Sequence, residues 1–114
     1  MILVLNCGSQ SIKYKIFQYS KSKLSVLDSF SISIKNPKKY KETLFKVLEK
    51  IPQKSQIEII SHRVVHGGNY FFEPTQITDN VLQKLDEISP FAPLHNPFNI
   101  AAIKICQKIF PKVK

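Results

Sequence analysis

The hydrophobic period of this chain changes near residue 36, and that change constrains the fold more than any other feature. Before it, "ILVL" at residues 2 to 5 is a short continuous apolar run, as expected for a strand buried on both faces. Residues 11 to 17, "SIKYKIF", alternate, with Ile12, Tyr14 and Ile16 on one side and Ser11, Lys13 and Lys15 on the other. A third strand is expected over residues 24 to 34, "LSVLDSFSISI", after a turn at "YSKSK", giving an antiparallel meander. Beyond Asn36 and Pro37, which suit a helix start, Tyr40, Leu44, Val47, Leu48 and Ile51 fall at helical spacing. "IEII" at 57 to 60 restores strand character, expected to run on through "SHRVV" until Gly67 and Gly68 stop it. Thr78 is placed to cap a second helix carrying Val81, Leu82, Leu85 and Ile88. A third helix from Asn96 and Pro97 carries Phe98, Ala101, Ala102, Ile105 and Ile109, and Ile100 and Ile103 widen its stripe, so it needs partners on more than one side. Three strands, a helix, a strand and then helices predict a mixed α/β sheet with flanking helices.

At 114 residues and 43% hydrophobic, the chain has material for one small core. No apolar run approaches the roughly 20 residues that span a bilayer, and "MILVLN" lacks the basic start of a signal peptide, so a cytoplasmic protein without membrane contact is expected. Cys7 and Cys106 have no C-x-x-C spacing and are expected as reduced thiols. The net charge of +9 comes from sixteen lysines and one arginine against eight acids. The lysines are scattered along helix faces and loops with no binding signature, so nucleic acid is not the expected partner. Pro111 and Val113 in "KIFPKVK" read as the approach to a further strand, which suggests a piece of a longer protein.

Three short stretches carry candidate chemistry. In "NCGSQSIK", residues 6 to 13, an extended backbone puts Ser9, Ser11 and Lys13 on one face and Gln10 and Ile12 on the other. Gly8 permits a positive-φ turn and close approach of an anion, and Asn6 offers an amide to a phosphate or to the water shell of Mg²⁺. An ordinary polar hairpin turn uses the same residue types. In "SHRVVHGG", His62 and His66 stand four apart, a zinc spacing on a helix, but Val64 and Val65 favour a strand. A strand sets Arg63 and Val65 on one face, a guanidinium fork beside a small apolar wall, which suits an anion joined to a short apolar group; a salt-bridged arginine is the plain alternative. In "FAPLHNPFN", His95 lies between Pro93 and Pro97 just ahead of a helix whose N–H groups favour anions, or it is a histidine satisfied by its own loop.

Together and in this order, "LVLNCGSQSIKYKIF", "SHRVVHGG" and "FAPLHNPFNI" closely resemble successive motifs of the acetate kinase family, the acetokinases. The resemblance covers essentially the whole chain and implies residues 1–114 as the N-terminal part of a single, incomplete acetokinase domain with a ribonuclease-H-like core of the actin and sugar-kinase type. It implies reversible transfer of the γ-phosphoryl group of ATP to acetate with Mg²⁺, giving acetyl phosphate and ADP, in enzymes that form homodimers when complete. Carried over by position, Asn6, Ser9, Ser11 and Lys13 look like the phosphate and metal loop, with Asn6 towards the metal. Arg63 and His95 look like the catalytic pair at the substrate anion and the transferring phosphoryl group, and Val65 and Leu94 like the walls of the acyl pocket. Gln10 departs from the three serines that usually follow the glycine. The family's catalytic aspartate, second arginine and adenosine pocket have no counterpart in these residues, so the chain alone is expected to be inactive or nearly so. Propionate or butyrate kinase, a non-catalytic basic domain that binds anions or nucleic acid, and a remnant without function are the alternatives to an acetate kinase.

Overall fold

The computed structural model describes residues 1–114. Its centre is a four-stranded sheet in the order β3-β2-β1-β4, formed by β1 (Ile2–Cys7), β2 (Ser11–Ser20), β3 (Lys23–Ser33) and β4 (Ile59–His62). The first three strands form the expected antiparallel meander, while β4 returns parallel to β1 after a crossover through α1 (Tyr40–Glu49). Helices α2 (Asp79–Ile88) and α3 (Asn96–Ile109) follow. This is the expected mixed α/β sheet with flanking helices.

Alternation sorts the strands into two faces. Leu3, Leu5, Cys7, Ile12, Tyr14 and Ile16 lie under α1 and α3, and with Tyr40, Leu44, Leu48, Ala102, Cys106 and Phe110 they make the main core. The opposite face carries no element. Ile2 and Val4 are therefore only half-buried and Asn6 is exposed, so β1 is not the strand buried on both faces that its apolar run suggests. Four apolar residues in a row look alike whether or not a second layer covers them.

Side-chain caps open two helical segments as expected. Asn36 Oδ1 accepts from Lys38 N–H at 3.1 Å, opening a short 3₁₀ turn ahead of α1, and Thr78 Oγ1 accepts from Val81 N–H at 3.2 Å. The wide stripe of α3 does serve two sides: Ala102 and Cys106 face the sheet, while Ile100 and Ile103 join Leu82, Leu85 and Ile88 of α2 in a second cluster. Cys7 and Cys106 are free thiols buried in the core. Desolvation pushes them up to about 11 and about 12, so both stay protonated and inert near neutrality.

Strand β4 stops at His62 rather than running through Val65. The reason lies on α3. Its two buried asparagines, Asn96 and Asn99, take the backbone of residues 65 and 66 away from the ladder: Asn99 Oδ1 accepts from Val65 N–H and Asn96 Oδ1 from His66 N–H, each at 3.2 Å.

Candidate functional site

The three candidate stretches meet at the carboxyl ends of the parallel pair β1 and β4, the end of an α/β sheet at which ligands characteristically bind. Register makes the meeting specific. Asn6 pairs with Lys13 across β1 and β2, Leu5 pairs with His62, and Arg63 N–H donates to Leu5 C=O at 3.0 Å. Lys13, Asn6 and Arg63 thus form one row across three adjacent chains on the uncovered face, with the two cations about 10 Å apart at the backbone by strand spacing. All three side chains are exposed. The ion pairs of the molecule are Met1–Glu58, Lys46–Glu42, Lys54–Glu49 and Lys104–Asp86, so neither Lys13 nor Arg63 is neutralised by a carboxylate. The salt-bridged reading of Arg63 therefore does not hold. Two uncompensated cations around an amide attract an anion at this row.

The turn joining β1 to β2 is closed by a Gly8 N–H bond to Ser11 C=O at 3.0 Å. Gly8 does not use the positive φ expected of it; the residues that do are Lys21, Ser22 and Gly68. Nor is it crowded, because a Cβ built on Gly8 would meet nothing within 4 Å. The fold of these residues does not require a glycine there, and its missing side chain leaves open space beside the cationic row. Ser11 shares the face of Lys13 by alternation, while Ile12 is buried beneath the sheet. Ser9 sits in the turn itself, where period two does not reach; both serines are half-buried and Gln10 is exposed. The oxygen donors here are the Asn6 amide and the two hydroxyls, and no group of three or more His, Cys, Asp or Glu residues is placed to hold a metal. Such a set fits a cation that arrives on phosphate oxygens with its own waters, as Mg²⁺ does.

His95 directly precedes α3, and its side chain is exposed and makes no capping bond. The helix amides behind it are not free for an anion as expected: Asn96 N–H goes to Ala92 C=O, Phe98 and Asn99 N–H go to His95 C=O, and Pro97 has none. The exposed imidazole is therefore the polar group left free on this side. Val65 and Leu94 are 50% and 69% exposed, so neither yet forms a closed apolar wall. His62 and His66 do not share a metal site. His66 Nδ1 accepts from Gly68 N–H at 2.9 Å and its ring stacks on Phe91, whereas burial alone holds the His62 imidazole down at about 4. A cleft of about 650 Å³ lies elsewhere, beside β4 between Ile60, Ile77 and Phe110.

Sequence reasoning missed Asn96 and Asn99, which are 0% and 2% exposed. Asn96 Nδ2 donates to His66 C=O at 2.9 Å and Asn99 Nδ2 to Cys7 C=O at 2.6 Å, so the helix start that carries His95 is tied to both other stretches. Two asparagines three apart inside an otherwise apolar stripe are the signal that could have revealed them.

Residues 33–114 match the model of the acetokinase family. The chain belongs to that family. It is 37% identical to an acetate kinase of Caldanaerobacter subterraneus subsp. tengcongensis and 38% identical to one of Borrelia garinii subsp. bavariensis, with 98% and 99% of this chain matched. Among solved structures it is similar to Porphyromonas gingivalis acetate kinase (TM-score 0.78, 28% identity) and a Francisella tularensis propionate kinase (TM-score 0.74, 33% identity), each over 98% of this chain. The chain spans about 35% of the length of the relatives and 35% and 34% of those two structures. The family model begins beyond the first candidate stretch, whereas the relatives match it as well.

Proposed function

We propose that this acetokinase chain supplies the carboxylate and phosphoryl side of an acetate kinase site, for the reversible conversion of acetate and ATP to acetyl phosphate and ADP. The observation that carries this reading is the row of Lys13, Asn6 and Arg63 with no carboxylate to neutralise it, beside the space left open at Gly8. Phosphoryl transfer depends on positioning and on balancing charge spread over the equatorial oxygens. Arg63 offers a planar fork to the carboxylate or acyl phosphate, Lys13 a point charge to phosphate oxygens, and Ser9 and Ser11 hydroxyl donors. His95 donates to the phosphoryl group in transit, and Val65 and Leu94 line the acyl end. The Asn6 amide oxygen would hold Mg²⁺ through the ion's waters, and the ion would supply positive charge to the phosphoryl oxygens. In this reading residues 1–114 are the N-terminal part of one acetokinase domain, and the nucleotide pocket lies in the part of the relatives' length that these residues do not cover.

The test is calorimetric titration of the chain with acetyl phosphate. Loss of a charged hydrogen bond predicts that Arg63→Ala weakens binding about tenfold or more. Lys13→Ala is expected to do so by a smaller factor, with no change in unfolding temperature for either. Equal affinity in wild type and Arg63→Ala would refute the assignment, and salt-sensitive binding to any duplex that survives Arg63→Ala and His95→Ala would replace it with a basic nucleic-acid-binding domain. A coupled assay with acetate, ATP and Mg²⁺ is expected to show no more than background turnover from these 114 residues. Propionate is the second reading, favoured by the likeness to a propionate kinase and by the open exposure of Val65 and Leu94. One added methylene is worth about 1 to 3 kcal/mol in a formed pocket, so propionyl phosphate binding more tightly than acetyl phosphate would favour it.

A further inference from the structure

Asn99 is almost fully buried in an apolar helix stripe, yet both ends of its amide are used, and on backbone groups of two different candidate stretches. Its Oδ1 accepts from Val65 N–H at 3.2 Å, two residues beyond Arg63, and its Nδ2 donates to Cys7 C=O at 2.6 Å, between Asn6 and Gly8. Asn96 behaves differently: both of its bonds go to the same residue, His66, so it staples one loop to the helix. Only Asn99 spans the gap between the turn at Gly8 and the loop that carries Arg63 and Val65. A carboxamide supplies a neutral acceptor and donor from one short side chain, and neither backbone group can shift without leaving a buried polar atom unpaired. Resting on the acyl phosphate reading above, we infer that Asn99 is a positioning residue that fixes the distance between the phosphate side and the acyl side of the site.

The test compares this 114-residue chain with Asn99→Ala and Asn99→Asp, in three readouts. Without ligand, Asn99→Ala accelerates hydrogen exchange of the Val65 amide about tenfold or more while amides of the β1–β2 ladder keep their wild-type rates. Unchanged exchange at Val65 overturns the inference. With ligand, acetyl phosphate reaches both loops and inorganic phosphate only one. Asn99→Ala is expected to weaken the first about tenfold and the second less than about twofold. Equal losses for both probes mark a purely structural role and also overturn it. In Asn99→Asp, an ionised carboxylate opposes Cys7 C=O whereas the protonated acid restores the donor, so acetyl phosphate affinity rises on going from about pH 8 to about pH 6 relative to wild type. A flat ratio counts against the inference, and this variant at low pH decides the question if Asn99→Ala does not fold. If the wild-type chain binds neither probe, the acyl phosphate reading fails, while exchange at Val65 still decides whether Asn99 holds the two loops.

Discussion

Gly8 and the pair Gly67–Gly68 follow the two parallel strands β1 and β4 beyond their carboxyl ends, and their surroundings are opposite. A Cβ on Gly67 would collide with the Phe71 carbonyl oxygen, whose own N–H returns to Gly67 C=O at 3.1 Å. Gly68 adopts φ +60 and faces Ile88 of α2. Those two glycines are explained entirely within the polypeptide. Gly8 has negative φ and free space around its missing side chain, so nothing in these residues requires it. The contrast separates glycines that the fold requires from one that it does not.

The largest effect that would sharpen this contrast is at Gly67. Because the obstacle is backbone, Gly67→Ala is expected to cost about 3 kcal/mol or more, read by chemical denaturation, and a change below about 1 kcal/mol would break the fold-side half of the comparison. Next comes acid. His62, whose strand leads into the same loop, has its pKa lowered by burial from 6.5 to about 4, so the unfolded chain takes up a proton that the folded chain refuses. The stability it contributes is whole above about pH 6.5 and is lost as pH falls towards 4, to a limit of about 3 kcal/mol. Denaturation midpoints measured across that window should fall, and His62→Gln should flatten the slope; an unchanged slope would show that another group titrates. Gly68→Ala should cost about 1 to 2 kcal/mol, since its left-handed φ disfavours any Cβ although the nearby Ile88 side chain can yield. The smallest effect on stability is expected at Gly8 and has the opposite sign. Gly8→Ala should stabilise the chain by about 0.5 kcal/mol through the unfolded state, yet weaken acetyl phosphate binding about tenfold. Destabilisation by more than about 1 kcal/mol would give Gly8 the same folding role as its counterparts.

Much of the scaffold could be read from periodicity. The meander follows from alternation in β2 and β3, and the three helices from apolar residues at helical spacing, with Thr78 capping α2 and Asn36 a preceding 3₁₀ turn. What failed did so where the deciding partner lies outside the element itself. The end of β4 at His62 depends on Asn96 and Asn99, about 30 residues on, replacing ladder partners with side-chain amides. The amides at the start of α3 are used up by Ala92 and His95 carbonyls, a consequence of the turn before the helix rather than of its own composition. At the site, residue types were legible and their arrangement was not. Only strand register aligns Lys13, Asn6 and Arg63, and only the surroundings of Gly8 show that its openness is not a requirement of the turn.

The most direct measurement is a titration of the isotopically labelled chain with acetyl phosphate, following every backbone amide. The site described above predicts saturable shifts concentrated at residues 8–13, 63–66 and 94–96, with the residues of α1 and β3 unmoved. Shifts spread over the lysines of α1 and β3, or no shifts at all, would contradict an acyl phosphate site at the carboxyl ends of β1 and β4.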